Sequence, residues 1–473
     1  MLPRLVSSAL LLLLVGAAFL AEATFLDVAT RPTHTDLGFR EHVEARKTTV
    51  NAEVGYEVTT VRYRSQALPL VQGQIVFTNP GRTPMPMPGG DYAILGFVGE
   101  VVDSRNVSVP LSTVYDHHWI AVDTFHRNQL CNWDEYSTGP EYVFGIGAES
   151  RKTPVRFPEG YGYHIYDGDY FGGNIHLLHT VDLEGDDGTP EGAAAAAKHC
   201  NECYYAPGKG AACTPAMNGT FQCCGDRCFD GSCKCPTKAG TKLVPTDFYL
   251  SYTVTFTRNI SMIKPVGVGV YTTPNCQLYY AVLRNDDEPI NISRTTFTVP
   301  ADVEVLLAIG HQHVGAINTS LIHNGKTVCT SFPTYGTETG VAGDEKGYLV
   351  KMSPCFQKGQ QGAAPLKFKK GDTVTVEGLY YVGSDDNRLL FSDGTHLNVM
   401  TYMYIAYSLD TPTSPSAPPV GADCAAALKR KCAPVIGYQG QCDDCATANK
   451  QALGAAGCTE KGVIQACKNR WFV

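Results

Sequence analysis

VYDHHWIAVD, residues 114–123, is an extended segment by composition, because Val114, Trp119, Ile120 and Val122 all suit the pleated surface of a sheet. Neighbouring side chains of a strand leave opposite faces. His117 and His118 should therefore be split between core and water, unless something requires both on one side. The same texture extends outward from this stretch. YEVTTVRY, GQIVF, YAILGFVGEVV and NIHLLHTV flank it within residues 50–182. FYLSYTVTFT, VGVGVYT, TFTVPADVEVLLAIG, DTVTVEGLYYV and MTYMYIAYSL fill residues 245–410, again with Gly and Pro between them. Short strands at regular spacing predict an all-β protein built of two antiparallel β-sandwich (jelly-roll) domains.

The chain has 473 residues, 44% of them hydrophobic and 18% charged, which describes a globular protein of several domains. A net charge of −8 argues against a nucleic-acid partner, which would want a basic patch. MLPRLVSSALLLLLVGAAFLAEA, residues 1–23, carries an Arg near its start and a short apolar run. It ends on Ala21-Glu22-Ala23, and so reads as a secretory signal peptide. No later stretch approaches the roughly 18 apolar residues of a membrane span, so the expected location is extracellular. The 18 cysteines, an even number, suit an oxidising compartment. The sequons at Asn106, Asn218, Asn259, Asn291 and Asn318 predict a glycoprotein.

The cysteines also divide the chain. Cys200 to Cys235 form one cluster and Cys424 to Cys467 another, leaving Cys131, Cys276, Cys329 and Cys355 for the rest. The expected order is a first sandwich over residues 24–182, then a linker and disulfide-rich insert over 183–240, then a second sandwich over 241–410. A Pro/Ser-rich spacer over 411–423 leads to a small disulfide-stapled helical module over 424–473, whose role could be to bind a matrix partner. Each cluster holds a CxxC pair, Cys200/Cys203 and Cys442/Cys445. Beside a signal peptide these read as disulfides rather than zinc ligands.

Further histidines accompany the opening pair. His176 and His179 lie on GGNIHLLHTVD, which ends the first sandwich. LLAIGHQHVGAI carries His311 and His313, two residues apart, so a strand projects both from one face, as one metal ion requires. THLNVMTYMYIAYS adds His396, Met400 and Met403 on a Tyr-rich strand. One histidine alone is more often a satisfied hydrogen-bonding group, and a lone Met is core. His164, His176 and His396 are read in this way, as supporting polar groups. The informative feature is the order: His-His, a single His, His-x-His, then Met.

That order resembles the copper type II, ascorbate-dependent monooxygenases, which include the peptidylglycine α-hydroxylating enzymes. The resemblance implies two coppers per chain, one on His117, His118 and His179, the other on His311, His313 and Met400. Met400 is preferred to Met403 because Met400, Tyr404 and Ile405 fall in that group's register. It also implies O2 as co-substrate, ascorbate as reductant, and catalytic roles for His311, His313, Met400 and Tyr404. Two departures limit the carry-over. The peptide-amidating enzymes have an Arg where Ile309 stands and an Asn where Tyr402 stands, so the resemblance implies a substrate other than a peptide C-terminus. A closer likeness covers most of residues 85–410. GEVVDSRNVSVPLSTVYDHHW, HCNEC…FQCCGDRC, IGHQHVGAI and CTSFPTYG…DEKGYLVKMSPC are similar to the stress-up-regulated nodulin family of secreted proteins. That likeness implies a disulfide between Cys329 and Cys355. The resulting expectation is a secreted copper monooxygenase-like enzyme for an unknown small-molecule or wall-derived substrate. The alternative is a non-catalytic copper-binding or cell-wall/matrix glycoprotein.

Overall fold

The computed structural model describes residues 36–42, 46–51, 55–78, 80, 83–127, 140–148, 155–167, 169, 171–184, 188–189, 237–275, 280–359, 364–383 and 396–409. In the C-terminal module it describes residues 424, 427–428, 431–432, 445–458 and 463. The signal peptide, the 200–235 cysteine cluster, Asn218, Cys131, Cys276, the 411–423 spacer, Cys442 and Cys467 lie outside the described residues.

The chain is all-β through both main domains. In the first sandwich, Tyr56–Arg64, Thr246–Thr257, Tyr92–Val102 and Tyr161–Ile165 lie side by side in one sheet. Ile75–Phe77, Phe171–His179, Val114–Arg127 and Pro140–Gly147 form the other. Val61, Tyr63, Ile94, Phe97, Tyr252 and Val254 from the first sheet meet Trp119, Ala121, Phe144, Ile175 and Leu177 from the second in one core. Phe97 stacks on Phe144 with centroids 4.5 Å apart. The other face of Val114–Arg127 is buried as well, with Ile120 and Val122 packed against Val270, Met400 and Tyr402 of the second sandwich. The strand is therefore covered on both sides at Trp119–Val122, which explains the unbroken apolar run WIAV there.

In the second sandwich, Gly267–Thr272, Thr401–Leu409, Val303–Gln312 and Pro354–Gln357 oppose Ile290–Thr298, Thr373–Tyr381, Ala316–His323 and Lys326–Ser331. Tyr271, Phe297, Val305, Leu321, Val374, Val376, Met403, Ile405 and Tyr407 fill its core. A disulfide joins Cys329 to Cys355 and so ties an edge strand of one sheet to an edge strand of the other. In the C-terminal module, Cys424–Cys458 and Cys432–Cys445 bracket the short helix Lys450–Ala455. None of the described helices is long and apolar enough to cross a membrane. Asn106 and Asn259 are exposed, whereas Asn291 and Asn318 are half-buried.

The domain boundary differs from the expectation in one respect. Thr246–Thr257 was assigned by its position in the chain to the second sandwich, but it is a central strand of the first, paired on both sides with Tyr56–Arg64 and Tyr92–Val102. Its inward residues Tyr252, Val254 and Phe256 complete the aromatic core there. Residues 183–240 thus interrupt the first sandwich in sequence, and the crossover to the second comes only after Lys264–Pro265, which still pairs with Tyr161–Ile165 in the first sheet. The two sandwiches are also held to each other. Lys358 Nζ donates to Glu304 at 2.7 Å and to the Tyr161 hydroxyl at 2.8 Å, and the Leu111 N–H donates to Glu345 at 2.9 Å.

Candidate metal centre

The strand Val114–Arg127 resolves the conflict posed by its adjacent histidines with a β-bulge. His118 stands opposite His176, but the next partner, opposite Leu177, is Asp116, so His117 is an extra residue. Two residues opposing one break the alternation locally, and both imidazoles turn to the same side. His117 Nδ1 lies 3.1 Å from His118 Nδ1 and 3.1 Å from His176 Nδ1. Ligand atoms of the three rings fall within 4.8 Å of one another, and all three residues are buried.

A neutral imidazole has one N–H and one lone pair. His118 Nε2 lies 3.1 Å from Asn174 Oδ1, an acceptor, so His118 carries its proton there and leaves Nδ1 as a lone pair facing His117. His117 can donate from Nδ1 to only one of its two ring neighbours, while its Nε2 is buried without a hydrogen-bond partner. Burial pushes the His117 and His176 rings well below the usual imidazole value, with neighbouring histidines adding to the effect. Burial likewise lowers His118 to about 4, partly opposed by the Asn174 contact. Converging lone pairs on rings held neutral, with no carboxylate among the three, make a donor set that fits a borderline-soft cation.

The second sandwich supplies the facing wall, again through a break in register. Along Val303–Gln312 the pairing shifts between Val305 and Leu307. Val303 and Val305 point into the second core before the shift, and Ala308 does so after it. Leu307, Ile309 and His311 therefore turn toward the first sandwich. His311 pairs with Tyr402, ring centroids 5.0 Å apart, and His313 follows at 5.7 Å from His311. The His313 ring lies 5.4 Å from that of His117, across the boundary between the sandwiches. Burial, then the nearby His311 and His118, lowers His313 to about 3. The Tyr380 hydroxyl accepts the His313 N–H at 2.7 Å and donates to the Met400 carbonyl at 2.5 Å, pinning those two backbone segments together.

On Thr401–Leu409, alternation separates the two methionines. Met403 faces the second core with Ile405 and Tyr407, whereas Met400 lies with Tyr402 on the side of the first sandwich. Tyr404 shares that side. Its ring centroid is 6.5 Å from His311, and its hydroxyl fills the space over Gly145, where an added Cβ would meet it at 2.6 Å.

The structure thus brings together His117, His118, His311 and His313, with Met400 and Tyr404 on the same side, and adds His176, read from sequence only as a supporting group. It does not bring His179 there. That ring lies with Nδ1 3.2 Å from the Leu70 carbonyl, edge-on to Phe248 at 5.1 Å. His176 and His179 are three residues apart on a regular strand, so they leave opposite faces. Parity alone allowed only one of them to join the pair. His164 Nε2 donates to the Ile263 carbonyl, 2.9 Å away, and the His396 side chain lies outside the described residues.

No curated protein matches the chain. Among solved structures, the infectious bursal disease virus VP2 subviral particle is 8% identical over 77% of this chain and 73% of that one, with a TM-score of 0.15. The infectious bursal disease virus Gt strain is 9% identical over 79% and 83%, with a TM-score of 0.10. Likenesses this slight carry no argument. The family described as Stress up-regulated Nod 19 matches residues 56–407, from the Tyr56–Arg64 strand through the bulged histidine strand and the His-x-His strand to Met400 and Tyr404. The chain belongs to the Stress up-regulated Nod 19 family.

Proposed function

We propose that this protein is an exported copper glycoprotein whose histidine centre supports an ascorbate- and O2-dependent, monooxygenase-like oxidation of a small non-peptide molecule. The observation that carries this reading is the convergence of His117, His118 and His176 from one sandwich with His311 and His313 from the other. Imidazole suits copper, zinc and iron, and the thioether of Met400 tips the set toward Cu(I) while discouraging magnesium, calcium and manganese. Copper, when bound, supplies one-electron chemistry with O2 that no side chain here offers. The chain's own residues do the rest. Asn174 fixes the His118 tautomer, Tyr380 holds His313 beside Met400, and burial keeps bulk water from His117, His118, His176 and His311. The disulfides, the expected signal peptide and the exposed sequons at Asn106 and Asn259 support an oxidising, extracellular setting.

The test is copper analysis of the secreted full-length protein after reconstitution, followed by oxygen uptake with ascorbate. The expectation is copper bound near two ions per chain, falling to about one in His117→Ala and in His176→Ala and unchanged in His179→Ala. A wild type that holds no copper ends the reading. One that binds copper but consumes no oxygen with any donor leaves a copper-binding glycoprotein without this activity.

A further inference from the structure

A cavity of about 190 Å³ lies between the sandwiches and reaches Gly310, the residue before His311. Val143 and Phe157 of the first sandwich and Leu307, Ile309 and Met352 of the second give it an apolar wall. Tyr404 belongs to the same wall and stands 6.5 Å from His311, so cavity and centre share a side chain. The one charged residue lining it is Arg156, exposed at the end of the short strand Val155–Arg156. Arg156 makes no ion pair with any described residue.

We propose that this cavity binds a single aromatic ring bearing a short carboxylate tail, the ring among the apolar side chains and the carboxylate on Arg156. An apolar cavity of about 150 Å³ is enough to take up benzene. The slightly larger space here, open at its Arg156 and Gln357 edge, therefore admits one ring and a short chain. A guanidinium presents two parallel N–H donors to a carboxylate, so an Arg at the edge of an apolar chamber, without an ion pair among the described residues, selects for an acid at one end of the ligand. The residue on the His-x-His strand that faces the cavity, Ile309, offers no charge, and the anchor comes from the opposite sandwich. A ligand seated in this way touches both sandwiches and lies against the side chain that adjoins His311. Binding itself stands on the cavity. That the bound ring is the molecule oxidised rests on the function proposed above.

The experiment is calorimetric titration of the full-length secreted protein, with and without copper, using phenylpropanoate and its uncharged counterpart phenylpropanol. Saturable one-to-one binding of the acid is expected in both states. Arg156→Gln should weaken the acid about tenfold, the loss of one charge-assisted contact, and leave the alcohol unchanged. Gln357→Trp, at an exposed position on the rim, and Ile309→Trp, inside, should block both ligands. Because Gln357 is exposed, its variant tests the site even if Ile309→Trp fails to fold. Acid affinity unchanged in Arg156→Gln overturns the anchor. The site is overturned by no binding at millimolar acid, or by binding that survives Gln357→Trp. Acid binding in a protein that takes up no copper would sink the proposed function and leave the cavity site standing.

Discussion

Asn174 has one task in the centre, to accept the His118 Nε2 proton so that Nδ1 faces the other rings. Partners that orient a metal-bound imidazole are typically worth about 10–100-fold in metal affinity. Asn174→Ala should therefore weaken copper by about that factor in competition with a chelator, with circular dichroism unchanged. The two methionines divide differently. Met403 is fully buried in the second core, so Met403→Ala should cost about 2–5 kcal/mol in urea unfolding, and Met403→Leu, which nearly conserves volume, far less. Met400→His should retain Cu(II), because imidazole is the better ligand for the oxidised ion, yet remove ascorbate-dependent oxygen uptake. Uptake that survives Met400→His, or that depends on the Met403 side chain, would show that the wrong sulfur has been assigned.

At the scale of the strand, what sequence could and could not disclose comes down to register. Alternation and turn residues located the strands, and the order of histidines pointed to the residues that meet. Alternation assumes an unbroken count, however, and both halves of the centre depend on a broken one. The extra residue at His117 lets a His-His pair share a side, and the extra residue at Leu306 turns His311 away from the second core. Such shifts exist only relative to a partner strand, so they are invisible in one strand's sequence. Thr246–Thr257 is the same problem at longer range, since nothing local in FYLSYTVTFT says that its partners lie far back in the chain. The spacing of His176 and His179 puts them on opposite faces, so one of them is ruled out, but which one is decided only by the pairing with the Val114–Arg127 strand. The Leu306 shift can be tested by deletion. Removing Leu306 restores plain alternation and should turn Leu307, Ile309 and His311 toward the wrong faces, with copper lost and the melting transition lowered well beyond that of Leu306→Ala. That comparison separates register from the lost side chain, because Leu306→Ala keeps the count. Copper content equal in the two variants would argue against the shift as the determinant of the site.

For the whole molecule, the histidines lie where the sandwiches meet, so their charge bears on the entire assembly. In the unfolded chain each ring titrates near 6.5, whereas folding lowers His118 to about 4 and His313 to about 3, and moves His117 and His176 in the same direction. Between those values the unfolded chain binds more protons than the folded one, so stability rises with pH in that window. The contribution is fully present above about pH 6.5 and is lost as pH falls toward the folded values. The metal-free protein should therefore melt at a nearly constant temperature from about pH 8 to about 7, then fall steeply between about pH 6 and 4. Replacing His117 and His176 together with Leu should flatten that fall, since two of the rings that must charge are gone. Bound copper should raise the melting temperature at neutral pH through its preference for the folded state. The gain should vanish in the same acid window, because protons and copper compete for the same nitrogens. Melting curves of the metal-free and copper-loaded proteins, taken across this range, would show the two converging near pH 4. A metal-free protein whose melting temperature stays level through that window would mean that the rings are not held neutral at the junction, and the centre would lose its main physical support.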